Sequence, residues 1–325
     1  MDLNDYTAGK QITELVISET SVLQTDDFVF KIIDVEEPTD LNEAIIGIEL
    51  TKHQIPNTVR TYGYTNNFDQ LLPLLPGEPG AYDNSICIVM EKLNGASLQQ
   101  FVVDQHFFAI KVVKSMDQLM NRIKALIVDF IKGYSVAYHK LAFTHYDLHS
   151  GNIIVVVDKA IMFDFGVSSI AGLEGPNWAY DMCRLFTSLW RTTVPTQFRT
   201  TEAGRAIFNM AFATQLDLNA YDDVEHVYGL IHNYINQYPA RFKQQDIDWI
   251  AKIINKYRRS VAFPTDHCVL RDFFVYGLRF FELGPDDQWL AEFHDDPVAF
   301  KDVTKQEVRP IEAFVEHLLA FNDHD

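Results

Sequence analysis

The sequence predicts an α+β fold, with a small β-rich N-terminal lobe that carries one helix and a larger, mainly helical C-terminal lobe. Three observations support this. Residues 12–35, "ITELVISETSVLQTDDFVFKIIDV", are rich in Val, Ile, Thr and Phe and are broken by polar turn residues near 24–27. Residues 85–93, "SICIVMEKL", form a continuous apolar run of strand length. Residues 116–141 then carry apolar side chains at helical spacing, and the pattern from about 177 onward is mostly helical.

Taken in order, residues 12–35 read as strands. Residues 40–52, "DLNEAIIGIELTK", read as a helix capped by Asp40 or Asn42, with Ile45, Ile48 and Leu50 among its apolar positions. "IPNTVRTYGY" returns to an extended pattern. Residues 65–84 hold Pro73, Pro76 and Pro79 with two glycines and read as a loop. Residues 94–98, "NGASL", read as a turn and the start of a helix. Leu119, Ile123, Ile127, Phe130 and Ile131 mark one face of the long helix at 116–141. "HYDLHSGN" at 145–152 follows as a loop, and "IIVVV" and "KAIMFDFG" make a short hairpin. The boundary falls at 91–95, giving an N-terminal lobe of 1–90, a hinge of 91–95 and a helical lobe of 96–325.

The bulk numbers exclude several classes. The chain has 325 residues, 47% hydrophobic and 22% charged, enough apolar residue to bury a sizeable core. A formal net charge of −18 and a pI of about 4.9 argue against nucleic acid and anionic membrane as partners, since both reward basic surfaces. Cys87, Cys183 and Cys268 are widely spaced, with no CxxC pair, so neither a disulfide framework nor a zinc ribbon is expected. The first residues, "MDLNDYTAGKQ", show no basic and apolar leader, and the longest apolar runs are short. A cytoplasmic, intracellular protein is therefore expected. No internal repeat or low-complexity tract is visible.

The chemistry centres on "HYDLHSGN". Asp147 and Asn152 stand five residues apart between an apolar helix and an apolar strand. Such residues can cap a turn. They can also serve phosphoryl transfer, which needs a carboxylate to orient the attacking hydroxyl and oxygen ligands for a divalent cation. It also needs a cation for the phosphates and a cleft for the base. Twelve residues after Asn152 comes Asp164–Phe165–Gly166. Together these resemble the protein kinase catalytic loop, H-x-D-L-x-x-x-N, and the magnesium-binding D-F-G. "FVFKII" resembles the strand bearing the kinase lysine. "NEAIIGIEL…IPNTVRTYG" with "ICIVMEKLNGASL" is similar to the casein kinase one branch, and D-L-H is similar to haspin-like and atypical kinases.

The resemblance covers about residues 12–190 and implies a bilobal protein kinase-like fold using ATP and Mg²⁺. It assigns Asp147 to the acceptor hydroxyl, Asn152 and Asp164 to the metal, and Lys31, paired with Glu43, to the α/β-phosphates. Glu49 is a rival partner for Lys31. Met90 becomes the gatekeeper, Glu91 to Leu93 the adenine-binding hinge, and Val29 and Ile154 the roof and floor of the base pocket. His145, Phe165, Gly166 and Asp181 take structural roles, with Asp181 bracing the catalytic loop. Apart from the resemblance, Lys31 also reads as a snorkelling lysine, Glu43 as a solvated first-turn glutamate, and Val29 and Ile154 as plain core.

The chain departs from that family at several points. No glycine occurs between Gly9 and Gly47, so residues 16–23 lack the glycine-rich loop that lets amides approach phosphates. Tyr146 replaces the usual arginine, which argues against switching by activation-segment phosphorylation. His149 stands in place of a lysine, either to hydrogen-bond a phosphate or to brace the loop. Asp181 follows Asp164 by only 17 residues (181 − 164), with no A-P-E motif between. Gly47 replaces an apolar residue one turn after Glu43. The expectation is a phosphotransferase acting on Ser or Thr of a protein substrate. A small-molecule acceptor, or a pseudokinase that binds without turnover, stands as the alternative.

Overall fold

The chain is mixed α+β, with an antiparallel sheet in its N-terminal region and helices later. The computed structural model describes residues 1–17, 20–76, 80–102, 116–170, 176–192, 266–281 and 309–321. It divides into two compact units. One joins Met1–Leu98 to Asp129–Asp181; the other joins Gln99–Val128 to Met182–Asp325.

The first unit begins with a one-turn helix, α1 (Asn4–Thr7). Five strands follow: β1 (Thr13–Ile17), β2 (Thr20–Gln24), β3 (Phe28–Asp34), β4 (Thr61–Thr65) and β5 (Ser85–Glu91), ordered β1-β2-β3-β5-β4 and antiparallel throughout. The two-residue period of a strand sorts β3 into two faces. Phe30 and Ile32 point into a cluster with Leu3, Leu23, Phe68, Leu71, Leu75, Cys87 and Val89. Val29 and Lys31 therefore belong to the opposite face. Within the expected loop of 65–84, Thr65 still belongs to β4, one 3-10 turn spans Leu72–Leu74, residues 77–79 lie outside the described residues, and Phe68, Leu71 and Leu75 pack onto the sheet. The interior strand β5, between β3 and β4, is buried from Ser85 to Met90, and its sequence shows no alternation.

Helix α2 (Asn42–Lys52) buries Glu43, Ala44, Ile46, Gly47 and Leu50. Its expected cap is corrected: Leu41 occupies the N-cap, with no side-chain bond. The Asp40 carboxylate instead accepts the Glu36 and Glu37 amides at 2.8 Å each, closing the preceding 3-10 turn Pro38–Leu41.

A second, three-stranded sheet is ordered β6-β7-β8, from β6 (Ala96–Ser97), β7 (Ile153–Val156) and β8 (Lys159–Met162). The short hairpin is as expected, but Ala96 and Ser97 pair with Val155 and Ile154 and so are a strand where a turn was expected. The long helix α3 (Met116–Leu141) matches its apolar period. Helix α4 (Trp178–Thr192) begins at Asn177, whose carboxamide oxygen accepts the Tyr180 amide at 3.1 Å.

In the second unit, α5 (Asp266–Arg279) and α6 (Ile311–Leu319) supply the later helices. The Phe186 ring packs on Phe273, Phe274 and Phe314 at centroid distances of 6.3, 6.3 and 5.3 Å. Gly277 permits this, since a Cβ there would sit 2.3 Å from the Phe186 ring. The helical expectation for residues 193–265 and 282–308 lies outside the described residues. Among the described residues, no helix is long and apolar enough to cross a membrane.

Candidate active site

Every site residue expected from the sequence falls within the first unit. The loop after α3 is held from beneath by Asp181, which is fully buried. Its carboxylate accepts the His145 amide at 2.6 Å, the Tyr146 amide at 2.8 Å and the Tyr134 hydroxyl at 2.6 Å. The backbone turns sharply here, with Tyr146 at φ +60°, a left-handed conformation costly for a large side chain. Two consecutive amides bonded to one carboxylate hold that turn. Burial, and then the Asp181 charge, push the Tyr134 phenol well above its ordinary value, so it stays a donor.

His145 is completely buried. Its Nε2 lies 3.0 Å from the Phe163 carbonyl oxygen and donates to it, while Nδ1 has no partner. Burial lowers its pKa, against the pull of the Phe163 carbonyl, so the ring is neutral. The Phe165 ring, also buried, lies 5.7 Å from the His145 ring and 6.2 Å from that of Phe143. The chain after it is tied down by paired Thr144 and Ser169 backbones, at 2.9 and 2.8 Å.

Asp147 and Asn152 are brought together. The Asn152 amide nitrogen donates to the Asp147 carboxylate at 3.1 Å and to its carbonyl at 3.0 Å. Both neighbours are acceptors, so the amide orientation is fixed, and its oxygen turns the other way. His149 braces the loop: its Nδ1 accepts the Gly151 amide at 3.0 Å. A ring that accepts at Nδ1 carries its proton on Nε2, and that atom stands 3.7 Å from the Asp147 carboxylate. Gly151 makes room, since a Cβ would come 2.7 Å from the imidazole.

Lys31 gathers two carboxylates from distant parts of the chain. Its ammonium lies 2.7 Å from both Glu43 oxygens and 2.8 Å from one oxygen of Asp164. Burial alone would pull the lysine down, but Glu43 and Asp164 outweigh it, so its pKa is raised. Burial lifts the Glu43 carboxyl and the lysine opposes that lift. Two short contacts to one ammonium mark it as a carboxylate at neutral pH. Glu49 instead sits on the surface, 2.9 Å from Lys52 and 3.5 Å from His53. Asp164 has φ +65°, a backbone state that Asp tolerates better than most residues. Gly166 passes close to Glu43, whose Oε2 would lie 4.0 Å from an added Cβ.

Val29 and Met90 are directly paired across β3 and β5. Glu91 closes β5 with its amide on the Arg60 carbonyl at 2.9 Å, and its side chain accepts the Arg60 amide at 2.8 Å. Leu93, half-buried, lies just beyond the strand. Ile154, also half-buried, pairs with Ser97 and Ile161.

Of residues 16–23, six lie in β1 and β2, paired up to Ile17 and Thr20; Ser18 and Glu19 lie outside the described residues. The stretch where a glycine-rich loop would lie is thus an antiparallel hairpin of non-glycine residues. Gly47 is explained by packing. A Cβ there would sit 2.3 Å from the Thr61 hydroxyl oxygen on β4.

Sequence reasoning missed Tyr134, Thr51, Thr61 and Gly151. Tyr134 reads as an ordinary core aromatic, and only its 47-residue separation from Asp181 in a folded chain reveals its partner. The Gly151–His149 contact has a local signal, a glycine two residues after a histidine in a tight loop.

Among the described residues, no group of three His, Cys, Asp or Glu could by itself hold a metal ion. The donor set nonetheless fits Mg²⁺ bound with phosphates, a cation that uses one or two protein oxygens and completes its shell from substrate and water. Asn152 and Asp164 are oxygen donors of that kind. A scan against protein-family models gives no match, and a search of curated proteins gives none either.

Proposed function

We propose that the chain is an ATP- and Mg²⁺-dependent phosphotransferase of the bilobal protein kinase-like fold, acting on a Ser or Thr hydroxyl of a protein. The observation that carries this is the meeting of Lys31, Glu43 and Asp164 at 2.7–2.8 Å, from a strand, a helix and a loop up to 133 residues apart. A buried ion pair is a poor stabiliser against an apolar alternative, so its assembly beside a paired Asp147–Asn152 points to chemistry.

Bound Mg²⁺ would supply charge neutralisation on the phosphates, held by Asn152 and Asp164. Lys31, oriented by Glu43, binds the phosphates nearest the nucleoside. Val29, Met90 and Ile154 offer apolar contact to the base, and the Glu91–Leu93 backbone offers the hydrogen-bonding groups left after the Glu91 amide bonds Arg60 and the Lys92 amide bonds Asp27. Asp147 orients the acceptor hydroxyl and takes up its proton as the oxygen attacks; Asn152 holds that carboxylate at 3.1 Å. Catalysis is then positioning plus electrostatics.

One observation favours a binding module without turnover: no glycine occurs between Gly9 and Gly47, so the β1–β2 hairpin carries side chains where amides would approach phosphate. Incubation of the protein with labelled ATP, Mg²⁺ and a crude protein mixture, beside Asp147→Asn, separates the readings. Label on protein that the variant loses supports the kinase. Label on a metabolite alone moves the acceptor to a small molecule, and nucleotide binding with no label supports the module.

A further inference from the structure

Gly47 and Glu43 are four residues apart on α2 and so share one face of the helix. That face lies on β4 through unusually small groups. A Cβ on Gly47 would meet Thr61 Oγ1 at 2.3 Å, its Cβ at 3.0 Å and its Cγ2 at 3.3 Å. The helix backbone is also stitched to the strand. The Thr51 hydroxyl donates to the Gly47 carbonyl at 2.8 Å and accepts the Thr61 amide at 2.8 Å. Thr61 is buried and its own hydroxyl has no hydrogen-bond partner. An unpartnered buried hydroxyl is costly, so its place here reflects how closely the helix has been drawn in.

We propose that Gly47 and Thr61 are a positioning pair: their contact sets how closely α2 approaches the sheet, and so holds Glu43 on Lys31. Ordinary van der Waals contact begins near 3.4 Å, so with the Thr61 side chain kept in place one methyl at Gly47 requires a shift of about 1.1 Å (3.4 − 2.3), and of about 0.4 Å (3.4 − 3.0) if its hydroxyl turns away. A movement of the larger size at Glu43 takes its 2.7 Å contacts out of hydrogen-bonding range. Interiors are packed too densely to absorb it within side chains alone. The consequence for nucleotide binding rests on the phosphotransferase reading; the geometric claim does not.

The test uses full-length Gly47→Ala, Thr61→Ala and the double variant. Two readouts are taken: labelling of Lys31 by an amine-reactive reagent, quantified by mass spectrometry, and affinity for a fluorescent ATP analogue with Mg²⁺. Gly47→Ala frees the ammonium from Glu43, so Lys31 labelling rises at least threefold against the exposed lysines. Thr61→Ala in the same chain removes the nearest atom, cuts the required shift to about 0.4 Å (3.4 − 3.0) and restores most of the protection. Unchanged Lys31 labelling in folded Gly47→Ala overturns the proposal, whatever the nucleotide does. Raised labelling without nucleotide binding by the wild type leaves the positioning pair standing and removes the phosphotransferase reading. Should Gly47→Ala fail to fold, Thr51→Val cuts the stitch without adding bulk. It raises labelling in the same direction if the proposal holds, and leaves it unchanged if it does not.

Discussion

Replacing Asp181 with Asn tests the support beneath the 145–152 loop. The Asp181 carboxylate accepts two donors on one oxygen, the Tyr134 hydroxyl and the His145 amide, and the Tyr146 amide on the other. The best orientation of a carboxamide keeps its oxygen on the first two and turns its NH₂ against the third. One hydrogen bond to a charged acceptor is lost, worth about 1.5–3 kcal/mol, and a buried N–H is left facing another donor. The remaining two bonds weaken, because charge-assisted bonds are roughly twice as strong as neutral ones. Removing a buried charge offsets part of this. The net loss is about 3 kcal/mol, and at roughly 2 °C per kcal/mol for a chain of this size the melting temperature falls by about 6 °C. Asp181→Ala strands all three donors, costs on the order of 5 kcal/mol and approaches the whole stability of a typical domain. The assay is thermal unfolding of wild type, Asp181→Asn and Tyr134→Phe, with hydrogen exchange at the Tyr146 amide. A fall below 1 °C for Asp181→Asn, with Tyr146 still protected, would refute the reasoning.

Other outcomes follow from the same contacts. Lys31→Met leaves Glu43 buried without its partner and costs about 3–5 kcal/mol, discounted for partial exposure; adding Glu43→Gln recovers part of that loss in a denaturant titration. His149→Asn keeps an acceptor near Nδ1 and holds the melting temperature within about 1 °C, whereas His149→Ala loses the bond to Gly151 and about 1 kcal/mol. His145 has a lowered folded pKa, so the unfolded chain binds more protons below the ordinary histidine value of 6.5. Stability therefore falls as pH drops below about 6.5 toward the folded pKa, and the wild type loses more melting temperature between pH 8 and 5 than His145→Gln does.

Much of the first unit was legible because its signals are local. β3 alternates in burial, and the part of α3 that lies in this unit continues a helical apolar period begun in the other. The His-x-Asp and Asp-Phe-Gly stretches place polar groups at fixed steps from apolar strands. What escaped depends on partners distant in sequence. Ala96 and Ser97 carry no strand propensity and pair only because β7 arrives 57 residues later. The 65–84 stretch reads as punctuation by Pro and Gly, yet its Phe68, Leu71 and Leu75 complete the core. The helix cap expected at Asp40 or Asn42 falls instead to Leu41, and Asp40 closes the separate 3-10 turn that starts four residues before α2. Gly47, where the resemblance expects an apolar residue, has no local reason within α2; its reason is Thr61 on β4.

The most direct test of the central claim is transfer of the γ-phosphoryl group from labelled Mg-ATP to protein, by wild type and by Asp164→Ala. The account predicts label with the wild type and its loss in the variant, which lacks a proposed metal ligand while Lys31 keeps Glu43. Nucleotide bound with no transfer to any acceptor, or equal transfer by both proteins, would contradict it.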